Sequence, residues 1–345
     1  MNAPPPSTRQ LPVSFFAEAR IGLDSGGVPI AQGAEAKDIL AAAKDVVPNR
    51  GLTLVIRDPI YINHYFHFLE IFIGLFSFHQ EHLGDIGVER IIFGSQNWNN
   101  ARQHHVQEQL IRAVYGGVDI YSTEVFRYGA QRFRNVLSID RALAVTGINK
   151  FLEPLLPEAL RWAPEFRRRV YVATRAAERA IPSGPRRVRC AYIPRKPPRT
   201  LGEADKMCLL AMLRDRFDEV IEIDFGRLSW REQVMQAADV DVLVGVHGNG
   251  LSNLLWLPRH GTAVEIFPPD FHAFDYQVMA EIVGLSYFGM EGKQDGYFYV
   301  QGSREGGAYG DQNQAVKYLP TELLEHSIEA IARRYRTVDT SRHMS

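Results

Sequence analysis

The sequence predicts an α/β protein of two halves, each built on a mostly parallel sheet, facing a cleft. Three observations carry this expectation. The chain has 345 residues, long for one domain and suited to two. Runs rich in β-branched residues alternate with segments of helical spacing, which is the pattern of crossover units and parallel sheets. A proline-rich interval (Pro154, Pro157, Pro164, Pro182, Pro185, Pro194, Pro197, Pro198) breaks that alternation midway. It places a domain junction at about 155–185, between an N-terminal domain over 11–175 and a C-terminal domain over 186–335. Residues 1–10 and 336–345 read as tails.

In the first half, Leu52–Arg57 is a strand ended by Asp58-Pro59, and a helix follows from about Asn63 to Leu83. Glu89–Phe93 is a second strand. Ala101–Tyr115 has helical spacing that stops at Gly116-Gly117, and short strands are expected at 118–120, 125–128 and 136–139. Phe66, Phe68, Ile71, Phe72 and Phe76 would give the first helix a very apolar face. Such a face either packs under a sheet or leaves room for peripheral membrane contact.

The second half repeats the alternation. Strands are expected at 188–193, 220–223, 240–246 and 263–267, and helices at 202–217, 273–283 and 321–335. Ser229-Trp-Arg-Glu232 is a capping box opening a helix to about Ala238, and a short helix is expected over 248–256. Residues 289–317 hold seven glycines and few aliphatic side chains, so a long loop is expected there.

Composition excludes several classes. Hydrophobic residues at 46% and charged residues at 23% sit near the globular average, which removes disordered and fibrous proteins. A formal net charge of −1 argues against a dedicated nucleic-acid binder. The two cysteines, Cys190 and Cys208, form no Cys-x-x-Cys, so neither a disulfide framework nor a four-cysteine zinc site is expected. The first twenty residues contain no apolar run of a secretory signal, and the expectation is a cytoplasmic protein.

The strongest constellation follows the run Val240–Val246: His247-Gly248-Asn249-Gly250-Leu251-Ser252-Asn253. A buried strand, a glycine turn and a helix form an anion cradle, because glycines let backbone amides approach a phosphate at a helix's positive end. The plain alternative is a tight turn with no ligand. Charge adds to the case: between Arg161 and Arg199 twelve Lys or Arg stand against two Glu. Arg195 and Arg199 follow a strand, and their forked guanidinium groups suit a diphosphate. Glu265 near the end of its strand could accept hydrogen bonds from a ribose. In the first half, His67 and Glu70 share a helix face after a strand end, where either could serve as general base. Asp239-Val-Asp241 looks like a metal-binding Asp-x-Asp, but it precedes a strand and reads as a helix-to-strand turn.

Together these residues resemble glycosyltransferase family 61. The resemblance spans about residues 190–270: an arginine pair after a strand (Arg195, Arg199), a helix with an acidic start (Glu203), the glycine turn His247–Asn253 in place of His-Gly-Ala-Gly-Leu-Thr-Asn, and a strand ending in Glu265-Ile-Phe-Pro268. It is weaker in the first half. There Asn63, His67 and Glu70 match the family's Asn, His and acid, although bacterial members place the histidine where this chain has Phe66. The resemblance implies a GT-B arrangement of two Rossmann-like domains and inversion at the anomeric carbon without a metal. It implies a UDP-linked sugar donor bound by Arg195, Arg199, His247, Gly248, Asn249, Gly250, Leu251, Asn253 and Glu265. His67 or Glu70 is then the catalytic base, and Asn63 lies on the acceptor side. The acceptor implied is a glycan or glycolipid, as in bacterial surface polysaccharide synthesis at the inner face of the membrane, with no cofactor beyond the donor.

Three other chemistries compete for these residues. An acyl hydrolase needs Gly-x-Ser-x-Gly, and no serine of the chain stands in that frame. A metalloenzyme could draw on His64, His67, His79, His82, His104 and His105, but no third ligand completes either helical His pair. A non-catalytic nucleotide- or glycan-binding module of the same fold is separated from an enzyme only by turnover.

Overall fold

The computed structural model describes residues 13–23, 29–33, 51–57, 64–94, 101–121, 126, 129–140, 155–177, 179, 187–293, 296–299 and 313–337. The chain divides into two units, Met1–Val170 and Tyr171–Ser345. Each is an α/β unit on its own parallel-rich sheet, as Rossmann-like domains are.

The sheet of the first unit runs β2-β1-β6-β3-β4-β5. Its strands are β1 (Val13–Leu23), β2 (Pro29–Gln32), β3 (Leu52–Arg57), β4 (Val88–Gly94), β5 (Asp119–Tyr121) and β6 (Gln131–Asp140). β6, β3, β4 and β5 are parallel, and β1 pairs antiparallel with both β2 and β6. The first parallel strand in the chain, β3, therefore lies between β4 and β6. Strand order reverses there, and ligands of open α/β sheets bind at such a reversal, beyond the strands' C-terminal ends.

Helix α1 (Tyr65–Leu83) follows β3. It is apolar nearly all round, which dictates burial. Phe66, Phe68, Ile71, Phe72 and Phe76 are at most 2% exposed. The face that could have met a membrane is thus core, and among the described residues no helix is long and apolar enough to cross one.

A proton-linked property arises inside this helix. His79 is buried, and its Nε2–H donates to the Ile86 carbonyl at 2.8 Å while Nδ1 accepts from Gln80 at 3.0 Å. Burial pushes its pKa below the ordinary 6.5, opposed by the Ile86 bond and aided by Arg169. The unfolded chain therefore takes up this proton first, so stability is fully present above pH 6.5 and is lost as pH falls through the folded value. The melting temperature is expected to drop between pH 7.5 and 5.5, and His79→Gln should flatten that slope; an unchanged slope would remove His79 as its source.

The boundary between the units falls inside the proline-rich interval, but that interval also holds a helix that the sequence reading does not include. Leu156–Thr174 is a nineteen-residue helix, α3, with Pro164 inside it. Pro157 fits in a first turn, but Pro164 removes an intrahelical bond, a cost of about 3 kcal/mol or more in a helix interior. The compensation is packing: Leu156, Ala159, Ala163, Phe166 and Val170 recur at alternating spacings of three and four and are all buried. The division between the units falls within this helix. α2 (Ala101–Tyr115) is as expected, whereas the strand expected at 125–128 lies outside the described residues except for Phe126.

The sheet of the second unit runs β12-β11-β10-β9-β7-β8. Its strands are β7 (Arg189–Ile193), β8 (Glu219–Glu222), β9 (Val242–Val246), β10 (Thr262–Ile266), β11 (Ser286–Lys293) and β12 (Gly296–Tyr299). All are parallel except β12. β9 and β10 are buried along their whole length, which is why they read as continuous Val/Leu/Ala runs and not as alternating ones. The helices are α4 (Glu203–Arg216), α5 (Trp230–Ala238), α6 (Asp275–Val283) and α7 (Thr321–Thr337). α5 opens on the expected capping box, with both Ser229 and Glu232 bonds present. Residues 336 and 337, expected in a tail, close α7, and residues 338–345 lie outside the described residues. The loop expected at 289–317 is also corrected: its first part is the β11–β12 hairpin, which glycines at 289, 292 and 296 obscured in the sequence.

Candidate active site

In the second unit the order reversal lies between β7 and β9, with β8 on one side and β10 and β11 on the other. Arg195 and Arg199 follow β7, and the glycine turn follows β9. Both expected groups thus stand at the position where such sheets bind ligands.

They also touch. Gly248 has φ +148° and ψ 176°, and a Cβ placed on it would lie 2.4 Å from Cζ of Arg195. The guanidinium rests directly on the Gly248 backbone, an approach that only glycine permits. Gly250 is similarly closed, since a Cβ there would lie 2.9 Å from Ile193 Cγ2. Arg195 is half-buried, its Nε is buried without a hydrogen bond, and among the described residues it meets no carboxylate. Burial, and next the neighbouring Arg199 cation, lower its pKa from the usual value. A half-buried guanidinium laid on a glycine backbone, with a second cation beside it, forms a site that an anion would stabilise.

Beyond Gly248 the chain forms a 3₁₀ helix, Asn249–Trp256, instead of an α-helix. The Leu251 amide donates to the Gly248 carbonyl at 2.9 Å. It is therefore committed within the helix, which corrects its expected place among the anion donors. Ser252 Oγ donates to Asn249 Oδ1 at 3.1 Å, and Asn253 Nδ2 donates to the Gly250 carbonyl at 3.1 Å. Both asparagines brace the turn, and Asn253 is buried beneath it.

His247 is buried and ringed by Phe267, Phe271 and Tyr276 at centroid distances of 5.8, 4.8 and 5.4 Å. Its Nδ1 lies 2.5 Å from Glu265 Oε1, and Tyr287 donates its hydroxyl to Glu265 Oε2. Glu265 is 0% exposed with both oxygens engaged. This geometry differs from the expected ribose contact: the carboxylate orients His247 from behind. Burial first, then nearby carboxylates including Glu265, push the Tyr276 and Tyr287 hydroxyls well above their ordinary pKa, so both stay neutral and Tyr287 can donate to Glu265. Sequence reasoning missed these tyrosines. Only the parallel register, which pairs Glu265 with Gly289 two residues past Tyr287, could have pointed to one of them.

Five other arginines of the basic run have tasks of their own. Arg161 pairs with Glu81, and Arg168 and Arg169 share Glu165, whose carboxyl Arg168 above all holds down to about 2. Arg169 also donates to the Val114 carbonyl at 2.9 Å. Arg179 and Arg189 hold Asp239, and Asp241, fully buried before β9, accepts from the Arg189 amide at 2.9 Å and sits 3.2 Å from His260 Nε2. The Asp-x-Asp is a structural node at the N-terminal end of β9, away from the ligand edge. Arg195 is the cation that lies on the glycine turn, with Arg199 beside it.

In the first unit α1 begins after β3 at that sheet's own order reversal. His67 Nδ1 lies 3.6 Å from Glu70 Oε2, with side-chain exposures of 16% and 2%. The His64 ring stands 4.8 Å from that of His67. His67 is the member that solvent reaches, and Glu70 lies behind it. Asn63 lies outside the described residues. Among the described residues no three His, Cys, Asp or Glu side chains gather as a metal site.

A family model described as Glycosyltransferase 61 matches residues 65–264, from the first turn of α1 to the residue before Glu265. Comparison with curated proteins gives no match. Among solved structures, a mutant flavo di-iron protein from Thermotoga maritima is similar over 76% of this chain and 85% of its own, at 9% identity and a TM-score of 0.29.

Proposed function

The chain belongs to the glycosyltransferase 61 family, and from that premise we propose that it transfers a sugar from a nucleotide diphosphate sugar, in the UDP class, to a glycan hydroxyl with inversion. The observation that carries the reading is the Arg195 guanidinium resting on the Gly248 backbone beside Arg199. A diphosphate carries charge of the sign that the half-buried Arg195 calls for, and forked guanidinium groups grip it bidentately. We place the donor over β7 and β9, with the Gly248–Gly250 backbone against the phosphates and His247, fixed by Glu265, beside them.

The chemistry then runs as a single displacement. The acceptor oxygen attacks the anomeric carbon, and the bond from that carbon to the diphosphate oxygen breaks with its electron pair. Arg195 and Arg199 neutralise the leaving diphosphate without a metal. His67 takes the acceptor proton, and Glu70 behind it stabilises the imidazolium that forms. The acceptor suggested by the family resemblance is a bacterial surface polysaccharide or glycolipid.

The test is thermal stability with UDP, GDP and CMP and their sugars, each in EDTA. A ligand that binds the folded state raises the midpoint by mass action, about 2.7 kcal/mol at a hundredfold excess over Kd. A shift with a uridine nucleotide in chelator is expected, and His67→Ala should keep that shift while losing turnover. No shift with any nucleotide would overturn the donor site. A shift without consumption of any donor sugar favours the binding module.

A further inference from the structure

Five histidines pair with carboxylates among the described residues, and two of these pairs, at the C-terminal end of the second sheet, are built alike. In each, a histidine past one strand meets a glutamate in the next strand. His247 past β9 meets Glu265 in β10, and His272 past β10 meets Glu291 in β11. Parallel pairing sets the repeat: Ile266 is opposite Met290, and the Phe267 amide donates to the Met290 carbonyl at 2.8 Å. The Phe267 ring joins the two pairs, stacked 5.8 Å from His247 and edge-on 5.5 Å from His272.

Packing alone is a poor account of the second pair. Glu291 is 1% exposed, and burying a carboxylate costs free energy that its hydrogen bonds at best offset, so apolar side chains would serve packing as well. The loop after β10 has other anchors: Phe267, Phe271 and Phe274 are buried, and Gln314 Nε2 donates to the Pro269 carbonyl at 2.7 Å. Glu291 accepts both the His272 ring and the Asp270 amide (3.0 Å), so the carboxylate fixes the ring and its loop together. The histidine side chain is 12% exposed against 1% for its partner, which makes His272 the member that faces outward.

We propose that His272 is a further donor-binding residue, oriented by Glu291, and that it hydrogen-bonds a sugar hydroxyl of the donor beyond the diphosphate. This rests on the donor site proposed above. β11 lies two strands from β9, about 10 Å at the spacing of paired strands, and a sugar flanking the diphosphate spans that gap. Ribose and transferred sugar share the hydroxyl chemistry, and the experiment separates them.

Affinities for UDP and for UDP-sugars are to be measured by calorimetry on the full chain and on His272→Phe, which keeps a ring against Phe267 and removes the nitrogens. A loss of about tenfold or more for both ligands supports the proposal and assigns the ribose; a loss for the UDP-sugar alone supports it and assigns the transferred sugar. Unchanged affinity for both, with or without a lower melting point, overturns it and leaves the pair as a structural tie. His272→Asn replaces the phenylalanine variant should that one fail to fold. Glu291→Gln, which keeps an acceptor for the ring, should weaken the same ligand to a smaller degree and alter the pH dependence of its binding. A wild-type protein that binds no nucleotide fails the donor site itself, an outcome distinct from a wild type and variant that bind equally.

Discussion

Arg195→Ala is expected to lower kcat by about 10²–10³ while the protein stays folded. The size follows from where charge develops. As the anomeric bond breaks, negative charge moves onto the diphosphate oxygen, and a preorganised cation at that point stabilises the transition state more than the bound donor. The fold should not suffer, because Arg195 meets no carboxylate among the described residues and its buried Nε makes no hydrogen bond. Removing it also relieves the repulsion from Arg199, so an unchanged or slightly raised melting point is expected. Arg195→Lys should recover little, since one ammonium cannot reproduce the flat fork that lies on the Gly248 backbone. Turnover near that of the wild type in Arg195→Ala would sink the diphosphate assignment.

Much of this site was legible in the residues. Arg195, Arg199 and the glycine turn follow from a strand-then-turn pattern, and the sheet order puts both at one reversal. What pattern reading supplied less well was the second layer. Glu265 looked like a ligand contact because it sits near a strand end, yet a residue's depth under a turn depends on the neighbouring strands. Tyr287 lies 22 residues away in sequence and reaches Glu265 only across β10 and β11. The basic run misled in the same way. Its excess over acids is real, but Glu81 lies 80 residues from Arg161 and Asp239 lies 50 from Arg189, so the sequence does not show that such arginines are committed elsewhere.

The fold was legible wherever local periodicity and tertiary burial agreed. Strands β7, β9 and β10 and helices α1, α4 and α7 are such cases. Helix α3 is the counterexample, because Pro164 outweighed a heptad-like apolar stripe when only local rules were applied. The glycine-rich β11–β12 hairpin was hidden for a related reason. Gly292 packs so closely that a Cβ would lie 2.2 Å from the Tyr318 carbonyl oxygen, so the glycine that reads as loop is demanded by a strand under a neighbouring chain segment. β1 was missed because its buried and exposed positions do not alternate cleanly; Phe15 and Phe16 are both buried.

Gly248→Ala carries the other large expectation, and it separates two costs that usually come together. The first is backbone strain. At φ +148° and ψ 176° the residue occupies a region that is essentially glycine's own, costing another residue on the order of 1–3 kcal/mol. The second is the collision of the new Cβ with the Arg195 guanidinium, which would have to leave the turn. A lower melting point and loss of the nucleotide-dependent shift are therefore both expected in Gly248→Ala. Combining it with Arg195→Ala divides the effect: the collision disappears, so the stability cost should shrink to the strain alone, while nucleotide binding stays lost. A cost in the double variant equal to that in the single one would mean that the guanidinium does not rest on Gly248, and the cradle would lose its cation. A cost that shrinks, with binding still absent, ties the glycine to the arginine and both to the anion.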